Sequence, residues 1–176
     1  MIYEKHVFSK PDFETILRVC NSIPKNKMRL DEKASGRLMY TFNNSDPIHK
    51  LIYNKQFIEK VRSITRNPNL APCLEIPIEY RIYEPGSYMD WHRDTKMLPD
   101  QNQYECVITL TNNSDSKSLF CKSKKNCKSI SSEPNSIIIV QANGIMHKVT
   151  KTTRGRRTII KLVFTTQPNN SITKPT

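Results

Sequence analysis

The sequence predicts a mainly β protein in which an N-terminal helical layer precedes an all-β body. Two observations carry that prediction. From residue 74 onward, short β-rich runs follow one another, and most are separated by Asn, Asp, Ser, Pro or Gly. Before residue 70, apolar residues recur mainly at helical spacing instead of alternating. Short strands at regular intervals suit a sandwich or barrel and not a parallel α/β sheet.

Taken in chain order, "SKPDFETILRVCNSI" puts Phe13, Ile16, Leu17 and Cys20 on one helical face, with Ser9 as N-cap and Pro11 in the first turn. "GRLMYTF" (36–42) reads as a strand. Asp46-Pro47 opens a second helical region, where Ile48, Leu51, Ile52, Ile58, Val61 and Ile64 share a face. That region breaks near Asn54 and ends before "RNPNLAP". The runs at 74–83, 104–112, 117–122, 127–131, 135–141, 146–150 and 156–164 then read as strands.

The 176 residues fit one domain, and 36% hydrophobic content with 8% aromatics is enough for a core. The start, "MIYEKHVFSKPDF", has no apolar stretch of the secretory kind. No run approaches the roughly 18 apolar residues of a membrane span. The expectation is a soluble intracellular protein, cytoplasmic or nuclear, with no membrane partner. Five scattered cysteines suit reduced thiols. Cys121 and Cys127, flanking "KSKKN", could still face each other across a hairpin as a disulfide or half a zinc site. No CxxC supports zinc. A net charge of +12 admits nucleic acid or acidic protein as a partner, or simply a solvated basic surface.

The chemistry concentrates in "YRIYEPGSYMDWHRDTKML" and "NGIMHKVTKTTRGRRTIIKLVF". His92 and Asp94 stand at i and i+2, so on a strand both side chains reach one face. Imidazole plus carboxylate suits a divalent first-row metal, and His147 supplies a second imidazole from another strand. Two histidines and one carboxylate make the facial triad that leaves coordination positions open on iron. Gly155 and Arg157 follow His147 at +8 and +10, and a buried arginine on the last strand needs a carboxylate partner.

On these residues the chain resembles the Fe(II)/2-oxoglutarate-dependent dioxygenases, whose pattern is HxD, a distal His, then Gly and Arg or Lys. Tyr83, Gly86, His92 and Asp94 resemble the prolyl-4-hydroxylase branch. The resemblance covers about residues 75–165. It implies a double-stranded β-helix, or jelly-roll (cupin-like) core, at 73–166, a helical buttress at 1–72 and a tail at 167–176. It implies Fe(II) held by His92, Asp94 and His147. Arg157 then meets the 5-carboxylate of 2-oxoglutarate, with Arg156 as the alternative if the strand slips by one residue. Tyr83 is a second carboxylate contact. Dioxygen is the co-substrate, and ascorbate a supporting reductant. Two departures stand out: Arg157 where many collagen-type enzymes use Lys, and Tyr88 one position early, with Met89 in its place.

The implied reaction is hydroxylation coupled to decarboxylation of 2-oxoglutarate to succinate, on a protein or peptide substrate, prolyl or similar. Alternatives are an AlkB-like nucleic-acid demethylase, a hydroxylase of free amino acids or small molecules, and an inert barrel binding module. The basic charge and "WHRD" favour the first of these. Against it, "RRTIIKLVF" continues as apolar strand where that family carries RxNxTxR. Among neighbouring residues, Trp91 is expected in the core behind the site and Arg93 at its rim. Tyr104, Thr109 and Thr111 are candidate pocket residues, Gly86 a turn residue, and His6 and His49 surface residues.

Overall fold

The computed structural model describes residues 1–123 and 126–166, so the expected tail at 167–176 lies outside the described residues. Helix α1 (Lys10–Asn21) starts where the capping chemistry predicts: Ser9 Oγ accepts from the Asp12 amide at 3.3 Å, and Pro11 sits in the first turn. Helix α2 (Ile48–Ile52) follows Asp46-Pro47. Asn54 then breaks the helical region and restarts it, because its side-chain oxygen accepts from the Phe57 amide at 2.9 Å to cap α3 (Lys55–Thr65). Arg66, at φ +54°, ends that helix.

The described residues also form twelve strands: β1 (Ile2–Lys5), β2 (Arg29–Leu30), β3 (Leu38–Thr41), β4 (Leu70–Pro72), β5 (Glu79–Tyr83), β6 (Met89–His92), β7 (Gln103–Asn112), β8 (Ser118–Ser123), β9 (Asn126–Ile130), β10 (Ser136–Gln141), β11 (Met146–Val149) and β12 (Arg157–Thr166). They form two antiparallel sheets. The large sheet has the order β1-β10-β7-β12-β5-β3-β2, with β4 also paired to β12; the small one has the order β6-β11-β8-β9. The N-terminal 72 residues therefore lend four strands to the large sheet in addition to their helices.

The large sheet is covered on both faces, which is why β10 and β12 read as nearly unbroken apolar runs. Its outer face packs on the helices through Ile16, Cys20, Phe57 and Val61 against Ile108, Ile160, Leu162 and Phe164. Phe57 stacks on Phe8 and meets Phe164 edge-on, which fastens α3 to the sheet. Its inner face meets the small sheet through a second cluster of Phe120, Ile130, Ile138 and Val140. The jelly-roll core expected from the sequence is present, and the space between the sheets is where the histidines converge.

Three expectations are corrected. Residues 74–78 are not strand, and β5 begins only at Glu79, after Pro77, which has no amide hydrogen for a ladder. Cys121 and Cys127 are joined in a disulfide, their Cα atoms 4.0 Å apart, because the β8–β9 register sets them directly opposite each other. Cys20, Cys73 and Cys106 are free and buried. His49 is buried, 9% exposed, and packs beside Tyr53, because α2 turns that side chain inward.

Candidate active site

Strands β6 and β11 pair so that His92 and His147 are cross-strand partners, with ring centroids 4.1 Å apart. Each ring is oriented by its own backbone. Nδ1 of His92 bonds the Asp90 carbonyl at 2.7 Å, and Nδ1 of His147 bonds the Ile145 carbonyl at 3.0 Å. A carbonyl only accepts, so the ring hydrogen lies on Nδ1 and the Nε2 lone pairs face the site. Both meet Asp94: Nε2 of His147 lies 3.3 Å from one carboxylate oxygen, and Nε2 of His92 lies 3.8 Å from the other. Burial lowers the His92 pKa below its ordinary value. Its bond to Asp90 opposes that shift, and neighbouring His147 adds to it. Phe120 of β8 stacks on His147 at 5.4 Å and walls the site on that side.

The donor atoms of His92, Asp94 and His147 all lie within 4.8 Å of one another. Two imidazoles and one carboxylate on one side of a point are a donor set that fits a divalent first-row ion with coordination positions to spare. The route to this geometry differs from the expected one. The strand ends at His92, and Asp94 lies beyond it in an irregular stretch. That stretch is held from outside: the Asn143 amide donates to the Asp94 carbonyl at 2.8 Å, and Arg93 donates to the Gly144 carbonyl. Gln103 accepts from the Met97 amide at 2.8 Å. The "NG" turn therefore positions Asp94 as well as introducing the strand of His147.

Deeper in the same cleft stands Arg157, 2% exposed and pointing inward from the start of β12. One Nη donates to Ser118 Oγ at 3.0 Å, while its buried Nε has no partner among the described residues. No carboxylate pairs with it there, and burial lowers its pKa from the usual guanidinium value. It remains a cation at neutral pH. A buried planar cation with an unsatisfied donor lining a cleft fits a carboxylate supplied by a ligand. Tyr83, opposite Arg157 in the β5–β12 register, is buried beside it, and the guanidinium carbon lies 5.8 Å from the ring centroid.

Arg156 is exposed, so of the two arginines only Arg157 faces the cleft. Trp91 is 42% exposed with Lys148 Nζ 5.0 Å from its ring centroid, which corrects the expectation of a core residue. Alternation does turn it away from His92, but the face it turns to is solvent, because none of the described residues covers the small sheet there. Arg93 is exposed. On β7 the cleft is lined by Glu105 and Val107, not by Tyr104, which packs with the helix-side core. Thr109 bonds Ser132, and Thr111 bonds Thr158. Gly86, at φ +96°, closes the turn after Pro85, where the Ser87 amide bonds the Glu84 carbonyl at 2.9 Å. Sequence reasoning missed Arg37 and Ser118, which reach the cleft from parts of the chain with no motif.

No family model and no curated protein matches the chain, but solved structures match it over nearly its whole length. An oxidoreductase of the 2OG-Fe(II) oxygenase family from Burkholderia pseudomallei aligns at a TM-score of 0.77 with 12% identity, covering 98% of this chain and 88% of its own. The fold is that of the 2-oxoglutarate- and Fe(II)-dependent oxygenases. A Pseudomonas putida prolyl-4-hydroxylase aligns at 0.71 with 10% identity, over 96% and 92% of the two chains. OsALKBH1 aligns at 0.61 with 14% identity, over 92% and 96%. At these identities the likeness is one of oxygenase architecture, and prolyl hydroxylases are among its bearers. Among the described residues no helix is long and apolar enough to cross a membrane.

Proposed function

We propose that the protein is an Fe(II)- and 2-oxoglutarate-dependent oxygenase that hydroxylates a C–H bond of a protein residue, prolyl or similar. The observation that carries this reading is the meeting, in one cleft, of the His92/Asp94/His147 donor set with the unpaired buried cation of Arg157. A keto diacid has the matching chemistry at its two ends.

Together, iron, 2-oxoglutarate and dioxygen supply the oxidation: one oxygen atom enters the substrate, the other enters succinate, and carbon dioxide leaves. The chain's own part is placement. His92, Asp94 and His147 hold the metal from one side and leave the opposite side free. Arg157 and Tyr83 bind the distal carboxylate, and Ser118 fixes the Arg157 fork. Ile138, Val140 and Phe120 keep the cleft wall apolar and exclude water from the reacting centre. The protein residue as substrate rests on the Tyr83/Gly86 spacing seen in the sequence. Nucleic acid is the second reading, favoured by exposed Trp91 and its lysine near the cleft.

The test is formation of succinate from 2-oxoglutarate, with no added substrate, by protein loaded with Fe(II) under anaerobic conditions and then exposed to oxygen. The wild type turns over slowly, and His92→Ala and Asp94→Ala fall at least a hundredfold with loss of bound iron. Absence of both iron binding and turnover in the wild type would sink the reading. Peptides, methylated oligonucleotides and free amino acids are then screened for stimulation of that rate. Oligonucleotide binding that collapses with added salt marks the second reading.

A further inference from the structure

The N-terminal part of the chain reaches the floor of the cleft through Arg37, which is 1% exposed. Its position is set by two turns packed together. The Tyr88 amide donates to the Ser35 carbonyl at 3.1 Å, and Ser87 Oγ donates to the Gly36 carbonyl at 2.8 Å. Gly36, at φ +64°, lets the backbone turn there. Asp31 then clamps the guanidinium, accepting from Nε at 2.9 Å and from Nη2 at 2.5 Å. The remaining Nη1 donates to the Tyr83 hydroxyl oxygen at 2.5 Å.

A guanidinium donates and never accepts. The Tyr83 oxygen is therefore the acceptor in this pair, and its own hydrogen must point elsewhere. No described residue accepts it, while Arg157 stands on the same ring with its own unpaired donor.

We infer that Arg37 is a positioning residue: held by Asp31, it occupies the Tyr83 oxygen and so aims the phenol hydrogen at the distal carboxylate beside Arg157. The inference rests on the reading of this pocket as the 2-oxoglutarate site. Donation from a cation also polarises the phenol, which strengthens the bond that Tyr83 donates to an ionised acceptor. A keto acid lacking the distal carboxylate makes no such bond and is indifferent to Arg37.

The experiment titrates 2-oxoglutarate, and separately 2-oxobutyrate, into the Fe(II)-loaded full chain under anaerobic conditions, followed by calorimetry. The variants are Tyr83→Phe, Arg157→Gln, Arg37→Lys, and the pair Asp31→Asn with Arg37→Gln, which removes both charges of the clamp and leaves Arg81 its other partner, Glu79. Arg37→Lys and the charge-free pair weaken 2-oxoglutarate binding about tenfold, the size of one hydrogen bond to an ionised group. Both leave 2-oxobutyrate within about twofold, and Arg37→Lys adds nothing once Tyr83 is Phe. Wild-type affinity in Arg37→Lys overturns the inference, as does equal weakening of both keto acids or full additivity with Tyr83→Phe. If Arg157→Gln and Tyr83→Phe both leave 2-oxoglutarate affinity unchanged, the pocket reading itself falls. If they weaken it and Arg37→Lys does not, only the positioning role falls.

Discussion

Arg157 is a cation buried where the described residues offer it a serine hydroxyl and the face of a tyrosine, and no anion. A charge removed from water without a partner costs the folded state free energy, and a ligand carboxylate returns it. This argument predicts a trade between stability and binding at one position. Arg157→Met should leave the thermal midpoint of the ligand-free protein unchanged or raise its stability by about 1 kcal/mol, while abolishing the rise in midpoint that 2-oxoglutarate gives the Fe(II)-loaded wild type. Thermal unfolding with and without 2-oxoglutarate checks both halves. A large destabilisation with ligand protection intact would show that Arg157 serves the fold alone. Arg37 makes the contrast plain: equally buried, it is neutralised by Asp31, and burial raises the Asp31 pKa less than Arg37, the Lys33 amide and Arg81 lower it.

At the scale of elements, what matters is how β12 enters the sheet with Arg157 facing inward. Gly155 sits just before that entry at φ +74°, and an added Cβ would overlap the Asn113 carbonyl oxygen. Nearby, Asp115 accepts from the Thr153 and Arg154 amides at 2.9 and 3.2 Å, and Asn113 accepts from the Arg156 amide at 2.7 Å. Gly155→Ala is expected to destabilise the protein by about 1–3 kcal/mol through backbone strain. It should also weaken 2-oxoglutarate binding, because relief of the overlap displaces the strand that carries Arg157. Chemical denaturation together with 2-oxoglutarate titration measures the two effects. The glycine at +8 from His147 was visible as a spacing, but its reason, a close approach between two loops distant in sequence, was not.

Across the whole molecule, what was legible follows how local each cause is. Ser9 and Asn54 announce helix starts because capping acts within three residues, and β10 and β12 announce themselves because strands covered on both faces are largely apolar. The His92/Asp94/His147 cluster was legible because a divalent-metal donor set calls for particular residue types. Strands β1, β2 and β4 were not, being two to four residues long and dependent on partners elsewhere for their existence. Arg37 was hidden for the same reason: only the pairing of β3 with β5 brings it to Tyr83. Trp91 was misplaced because alternation says which face a side chain takes and not whether that face is covered.

The central claim is that a metal site and a carboxylate site share one cleft and one ligand. Two sites spanned by one molecule must be thermodynamically linked, so metal and 2-oxoglutarate each tighten the binding of the other by the same factor. The direct measurement is the anaerobic affinity for 2-oxoglutarate with and without Fe(II), in the wild type and in His147→Ala. The account predicts at least tenfold tighter binding with Fe(II) in the wild type and loss of that difference in His147→Ala. Equal affinity with and without the metal would contradict it.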